Sequence, residues 1–189
     1  MADGASHAAP PRIETVCFLA DAGVSRALAE DIVAHVSRWL YVPCRLHSGR
    51  WEVAAVQLSG RDQLDADRLL AELDASAPAG TVQVGLTALD MGVAIFTFVF
   101  GRAMCGGHAA VVSLARLAPE RYGLAEDHGL FVRRAATEVV HELGHVAGLG
   151  HCDDFNCIMH FAPNVESIDV RGHTFCAGCA SVLPHDLLA

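Results

Sequence analysis

Positive charge is scarce in this chain. Thirteen Lys and Arg stand against 22 Asp and Glu, for a formal net charge of −9 over 189 residues. No basic stripe is available to neutralise a run of phosphates, so a nucleic-acid partner is excluded. Charge of either sign is also low, at 19%, beside 52% hydrophobic residues, and this excludes a largely disordered chain. No apolar run reaches the roughly eighteen residues that a membrane span needs. The most apolar stretch, residues 91–100, is better explained as a sheet strand, and no membrane partner is expected. Residues 1–11 lack a basic region followed by an apolar core and do not read as a signal peptide. They are small, polar and proline-ended, which predicts a disordered tail. With no repeat and no linker-like boundary, residues 12–189 are expected to form one domain around one core, as a monomer.

A disulfide framework fits poorly too. The cysteines number seven, an odd count, and no secretion signal precedes them, which points to a reducing cytoplasmic location. Cys17, Cys44 and Cys105 are expected to be free thiols behaving as small hydrophobes. The other four, Cys152, Cys157, Cys176 and Cys179, form two pairs at x4 and x2 spacing. That is the spacing of a closed tetrahedral thiolate zinc site, which leaves no position for water and is therefore structural.

What the chain does have is His141-Glu142-Leu143-Gly144-His145-Val146-Ala147-Gly148-Leu149-Gly150-His151. On a helix His141 and His145 project from one face, so both imidazoles can reach one zinc ion, with Glu142 beside them to handle protons. Gly148 tolerates positive φ, so the helix can stop there and the chain can bring His151 round as a third nitrogen ligand. Three histidines on a tetrahedral ion leave one position open, the mark of a catalytic zinc. The expected chemistry is hydrolysis by a zinc-bound water, with Glu142 as general base. The expected cofactors are two Zn²⁺ per chain, one catalytic and one structural.

With the cysteines and Met159 added, the pattern becomes His-Glu-x-x-His-x-x-Gly-x-x-His, then Cys-x4-Cys-x-Met, then Cys-x-x-Cys. In this it resembles the archaemetzincins, a branch of the metzincin zinc peptidases. The last spacer, residues 160–175, is sixteen residues long, one fewer than the family pattern. The resemblance is close over residues 138–179 and looser over 111–117, which it implies is the edge strand. It also implies that Met159 forms the family's Met-turn beneath the catalytic zinc, and that the substrate is a peptide or unfolded protein.

Periodicity predicts strands at 13–19, 82–86, 94–100 and 109–114, and helices at 25–39, with Ser25 as cap, and at 62–73. An extended piece after Pro43 is expected to pair with 51–58 as a hairpin. From residue 130 a helix follows whose apolar face is Val132, Ala136, Val139, Val140, Leu143 and Ala147. The fold class expected is α+β, a mixed twisted sheet with packed helices, and the resemblance implies a compact metzincin-like zincin domain with an active-site helix. Residues 12–150 are expected to form its upper subdomain and 151–189 a C-terminal subdomain clipped by the structural zinc. Two other functions use the same residues: a zinc-stabilised peptide-binding module with little turnover, and an amidohydrolase acting on a non-peptide substrate. Glu142 favours an enzyme over the binding module.

Overall fold

The computed structural model describes residues 12–53, 56–184 and 187, so the tail expected at 1–11 lies outside the described residues. The chain runs β1 (Thr15–Ala20), α1 (Arg26–Val36), β2 (Cys44–Leu46), β3 (Leu64–Asp65), α2 (Ala66–Ser76), β4 (Thr81–Thr87), β5 (Met91–Gly92), β6 (Gly101–Ala103) and β7 (Ala109–Ser113). A 3-10 turn (Pro119–Tyr122), α3 (His128–Val146), α4 (Val165–Val170) and α5 (Ala177–Ala180) complete it. Five strands form one sheet in the order β2-β1-β4-β7-β6, and β3 pairs with β5 apart from it. All neighbours in the large sheet are parallel except β6, which runs antiparallel to β7.

The sequence of β7 explains its position. All five of its residues, Ala-Ala-Val-Val-Ser, are buried, as an interior strand covered on both faces requires. Ala110 and Val112 join β1, β4, α1 and α3 in the larger core, while Ala109 and Val111 join Leu69, Leu70 and Leu73 of α2 on the opposite face. Helix starts follow local capping. The Ser25 hydroxyl accepts the Leu28 N–H at 3.2 Å for α1, and Asp127 Oδ1 accepts the Leu130 N–H at 2.8 Å for α3.

Three expectations are corrected. The edge beside the cleft is β6, not the 109–114 strand, which lies one place inward between β4 and β6. Residues 94–100 are not a strand: Val93 and Phe96 form only an isolated bridge, and Ile95 is 83% exposed. That stretch is apolar because it walls a cavity rather than filling a sheet. Nor do the described residues of 51–58 form a hairpin with β2, which pairs in parallel with β1. Instead the Trp51 N–H extends the β1 edge by donating to the Ala20 carbonyl at 2.8 Å, and its ring packs over Gly85.

Beyond α3 regular structure is sparse, and two ion pairs dock this segment onto the helix. Arg134 forms a bidentate pair with Asp169, at 2.7 and 2.6 Å, and Arg171 Nη2 donates to Glu138 at 2.7 Å. The polarity alternates: a cation and then an anion on α3 meet an anion and then a cation on the segment. Arg134, Glu138 and Arg171 are all at most 4% exposed, so these are charges withdrawn from water that depend on their partners.

Candidate metal centre

The buried half of α3 carries the site. His141 and Glu142 are each 4% exposed, and His145 follows one turn later on the same flank. The helix ends as its glycine allows: Gly148 takes φ +94° and its N–H returns to the His145 carbonyl at 2.9 Å. The turn does more than reverse the chain, because the Leu149 carbonyl it exposes lies 2.7 Å from His145 Nδ1. In the same way His141 Nδ1 lies 2.8 Å from the Ile158 carbonyl. A carbonyl only accepts, so both Nδ1 atoms carry the proton and both Nε2 atoms present lone pairs.

Those two Nε2 atoms are 3.2 Å apart. Bare acceptors at that distance repel each other, whereas two nitrogens on one tetrahedral zinc are separated by about 3.3 Å at ordinary bond lengths. His151 completes the group, and the ligand atoms of all three lie within 4.8 Å of one another. The donor set therefore fits a zinc ion. Desolvation, helped by the Arg171 guanidinium 3.4 Å from Nδ1, holds the His141 pKa well below its usual value. Desolvation likewise lowers His145 and His151. All three are thus neutral at physiological pH, as ligation requires.

Glu142 differs. Desolvation, reinforced by the neighbouring Glu138 and opposed by Arg171 and Arg102, raises its pKa well above the usual carboxylate value. It lines a cavity of about 380 Å³ together with the three histidines, Glu138, Arg171, the 96–103 stretch and Phe161 to Pro163. Met159 is fully buried and its thioether packs against Gly144, one residue before His145, where any side chain would displace it.

The four cysteines also converge, with all their sulfurs within 4.8 Å of one another. Cys152 and Cys176 Sγ are 3.8 Å apart, too far for a disulfide and equal to the roughly 3.8 Å between two thiolates on one tetrahedral zinc. The Cys179 N–H donates to Cys176 Sγ at 3.5 Å and draws that thiol down to about 7, against desolvation and with help from the neighbouring thiols. Desolvation and those same neighbours push Cys179 up. The four cannot all ionise unless a cation shares their space.

The structure thus brings together His141, Glu142, His145, His151 and Met159 in one place, and Cys152, Cys157, Cys176 and Cys179 in another. Sequence reasoning missed Arg134, Glu138, Asp169 and Arg171. A signal existed for two of them: Arg134 and Glu138 lie on the buried face that leads, at helical spacing, to His141 and His145.

Fold and site define a protein of the His-Glu-x-x-His metalloprotein class, with a third histidine supplied by the turn after the helix. Residues 61–185 match Peptidase family M54, and the chain belongs to that family. It is 43% identical over 104 residues to the archaemetzincin of Pyrococcus horikoshii, covering 55% of each chain. To that of Haloquadratum walsbyi it is 35% identical over 126 residues, covering 65% of this chain and 72% of the relative. In the first of these comparisons the match spans about half the length of the curated relative. Among solved structures, the archaemetzincin of Archaeoglobus fulgidus, complexed with malonate, superposes with a TM-score of 0.77 at 28% identity, covering 89% of this chain and 99% of that one. A zinc-dependent peptidase from Methanocorpusculum labreanum gives 0.76 at 26% identity, covering 89% and 100%.

Proposed function

We propose that this protein is a zinc-dependent peptidase acting on peptides or unfolded protein segments. His141, His145 and His151 hold the catalytic ion, and Cys152, Cys157, Cys176 and Cys179 hold a second, structural one. The observation that carries this reading is Glu142: a buried carboxylate with no hydrogen bond to the described residues, facing the same cavity as two imidazole lone pairs 3.2 Å apart. A structural carboxylate at that depth would have a partner, whereas a general base must keep its oxygens free for water.

A zinc ion held by the imidazoles supplies Lewis acidity toward water and the scissile carbonyl, and its charge favours ionised Glu142. The chain's own groups do the rest. Glu142 takes a proton from the attacking water on a carboxylate oxygen and delivers it to the leaving nitrogen. The carbonyls of Ile158 and Leu149 fix the orientation of His141 and His145. The outer edge of β6 bears no further strand among the described residues, so an extended substrate can pair there and reach Glu142.

Glu142→Gln keeps size and polarity but removes the base. Hydrolysis of a mixed peptide library should fall by roughly 100- to 10,000-fold with zinc content unchanged. Equal hydrolysis by both proteins would refute the role of Glu142, and no hydrolysis by the native protein would refute the peptidase reading.

A further inference from the structure

We infer that Gly101 is a positioning residue for Glu142: the strand beside the cleft lacks a side chain at the one point where the carboxylate must lie against it. This rests on the proposed role of Glu142. Gly101 opens β6 and pairs with Val112 of β7. Its backbone is outside the positive-φ region that other glycines of this chain occupy, so conformation alone does not call for glycine there. Space does. A Cβ built on Gly101 would lie 2.5 Å from Glu142 Oε1, 2.6 Å from Cγ and 2.8 Å from Cδ.

Three consecutive parts of one side chain meet that position, so rotating the carboxylate alone cannot relieve the overlap. The whole side chain would have to swing from its root on α3, where it is 4% exposed and enclosed. The next residue shows the alternation of the strand: Arg102 points elsewhere and donates to Asp67 Oδ1 of α2 at 2.8 Å. Gly101 and Arg102 both border the cavity, but Arg102 acts on Glu142 only through its charge, whereas position 101 meets the side chain itself. Glycine costs a strand packing and backbone entropy, and here the empty volume is occupied by the working end of Glu142.

The test is a double-substitution cycle with two readouts. In the native background, Gly101→Ala should lower the melting midpoint by several degrees. It should also lower kcat on the order of 100-fold, with KM and zinc content nearly unchanged. In a Glu142→Ala background the slot is empty, so Gly101→Ala should leave the midpoint unchanged or raise it. In a Glu142→Gln background it should change the residual rate less than about threefold, because its effect acts through the base. If Gly101→Ala alone fails to fold, the double variant Gly101→Ala/Glu142→Ala should recover folding. The inference is overturned if Gly101→Ala lowers the midpoint equally in both backgrounds, if it affects neither midpoint nor rate beside native Glu142, or if the double variant stays unfolded. Native protein without any hydrolysis would defeat the peptidase reading, yet the midpoint cycle would still decide whether Gly101 sets the place of Glu142.

Discussion

His151 and Cys152 are adjacent in the chain, yet the two clusters they belong to are built in opposite ways. Two of the three histidines stand on α3, a 19-residue helix packed on a sheet, and His151 follows from the turn after it. Backbone carbonyls orient two of its rings, and a cavity opens beside them. The cysteine cluster joins two stretches of a segment whose longest regular element among the described residues is six residues. Helix and sheet thus hold two of the first cluster's three ligands whether or not an ion is bound, whereas the second cluster is much of the scaffold of its own segment. A site for chemistry benefits from the first arrangement, since geometry must survive exchange of substrate and water. A site for stability needs only the second.

The largest effect should therefore come from the cysteines. Cys157 is fully buried, and Cys157→Ala should cut zinc content from about two ions to about one and raise amide exchange throughout residues 151–184. His145→Ala should also lose one ion, but with exchange changed only around the cavity. Measuring zinc and regional exchange on both variants separates the two sites. A cysteine variant that kept both ions and native exchange would refute the structural assignment.

This contrast was readable only in part beforehand. The convergence of the two clusters was legible because spacing encodes it: two histidines four apart on a helix, a glycine able to turn, and paired cysteines. The core strands β1, β4 and β7 and the helix α3 were legible because burial leaves continuous or periodic apolar patterns. The edge β6 was not, since a three-residue strand beginning with glycine carries no period. The preceding 94–100 stretch misled, because an apolar wall of a cavity and an apolar strand have the same composition. Arg134–Asp169 and Glu138–Arg171 were invisible because charges 35 and 33 residues apart reveal a pairing only in three dimensions.

Arg171 links the two regions, and its removal should come next in size. It donates to Glu138 on the helix and, at 2.9 Å, to the His160 carbonyl on the segment. Arg171→Met leaves a buried carboxylate unpaired and should destabilise by about 3–5 kcal/mol. The double variant Glu138→Gln/Arg171→Met should recover much of that loss in chemical denaturation. No recovery would mean that Arg171 acts through packing rather than charge.

Acid should act on one region before the other. In metal-free protein the lowered pKa values of His141, His145 and His151 make the unfolded chain bind protons first as pH falls below 6.5. The stability they contribute is complete above that pH and is lost as pH falls toward their folded values. Raised Glu142 has the opposite sign: its contribution is complete below 4.5 and is lost as pH rises through its folded value. Between these limits the two oppose each other, so Glu142→Gln should make the acid loss steeper. Cys176, drawn down to about 7 by the Cys179 N–H, is largely protonated already below neutrality. Denaturation midpoints of metal-free native protein and Glu142→Gln between pH 5 and 7 test this, and equal slopes would contradict it.

The smallest effect is the most discriminating, because it asks whether the segment is folded at all without its ion. Asp127 caps α3, and Asn164 caps α4 by accepting the Ser167 N–H at 2.9 Å. Each is a single side-chain acceptor at a helix start, so replacement by Ala should cost about 1 kcal/mol in zinc-loaded protein. The costs should part when zinc is removed by a chelator. Helix α3 is held by the sheet, so Asp127→Ala should keep its full cost. If the segment opens when the thiolate cluster loses its ion, α4 is already lost from the metal-free native state. The Asn164 cap then has nothing left to stabilise, and Asn164→Ala should cost less than about 0.3 kcal/mol relative to metal-free native protein. Six denaturation curves, native protein and the two variants each with and without zinc, decide the matter. If the Asn164 cost survives chelation, the ion pairs of Arg134 and Glu138 hold the segment without help, and the distinction between the two clusters narrows to chemistry alone.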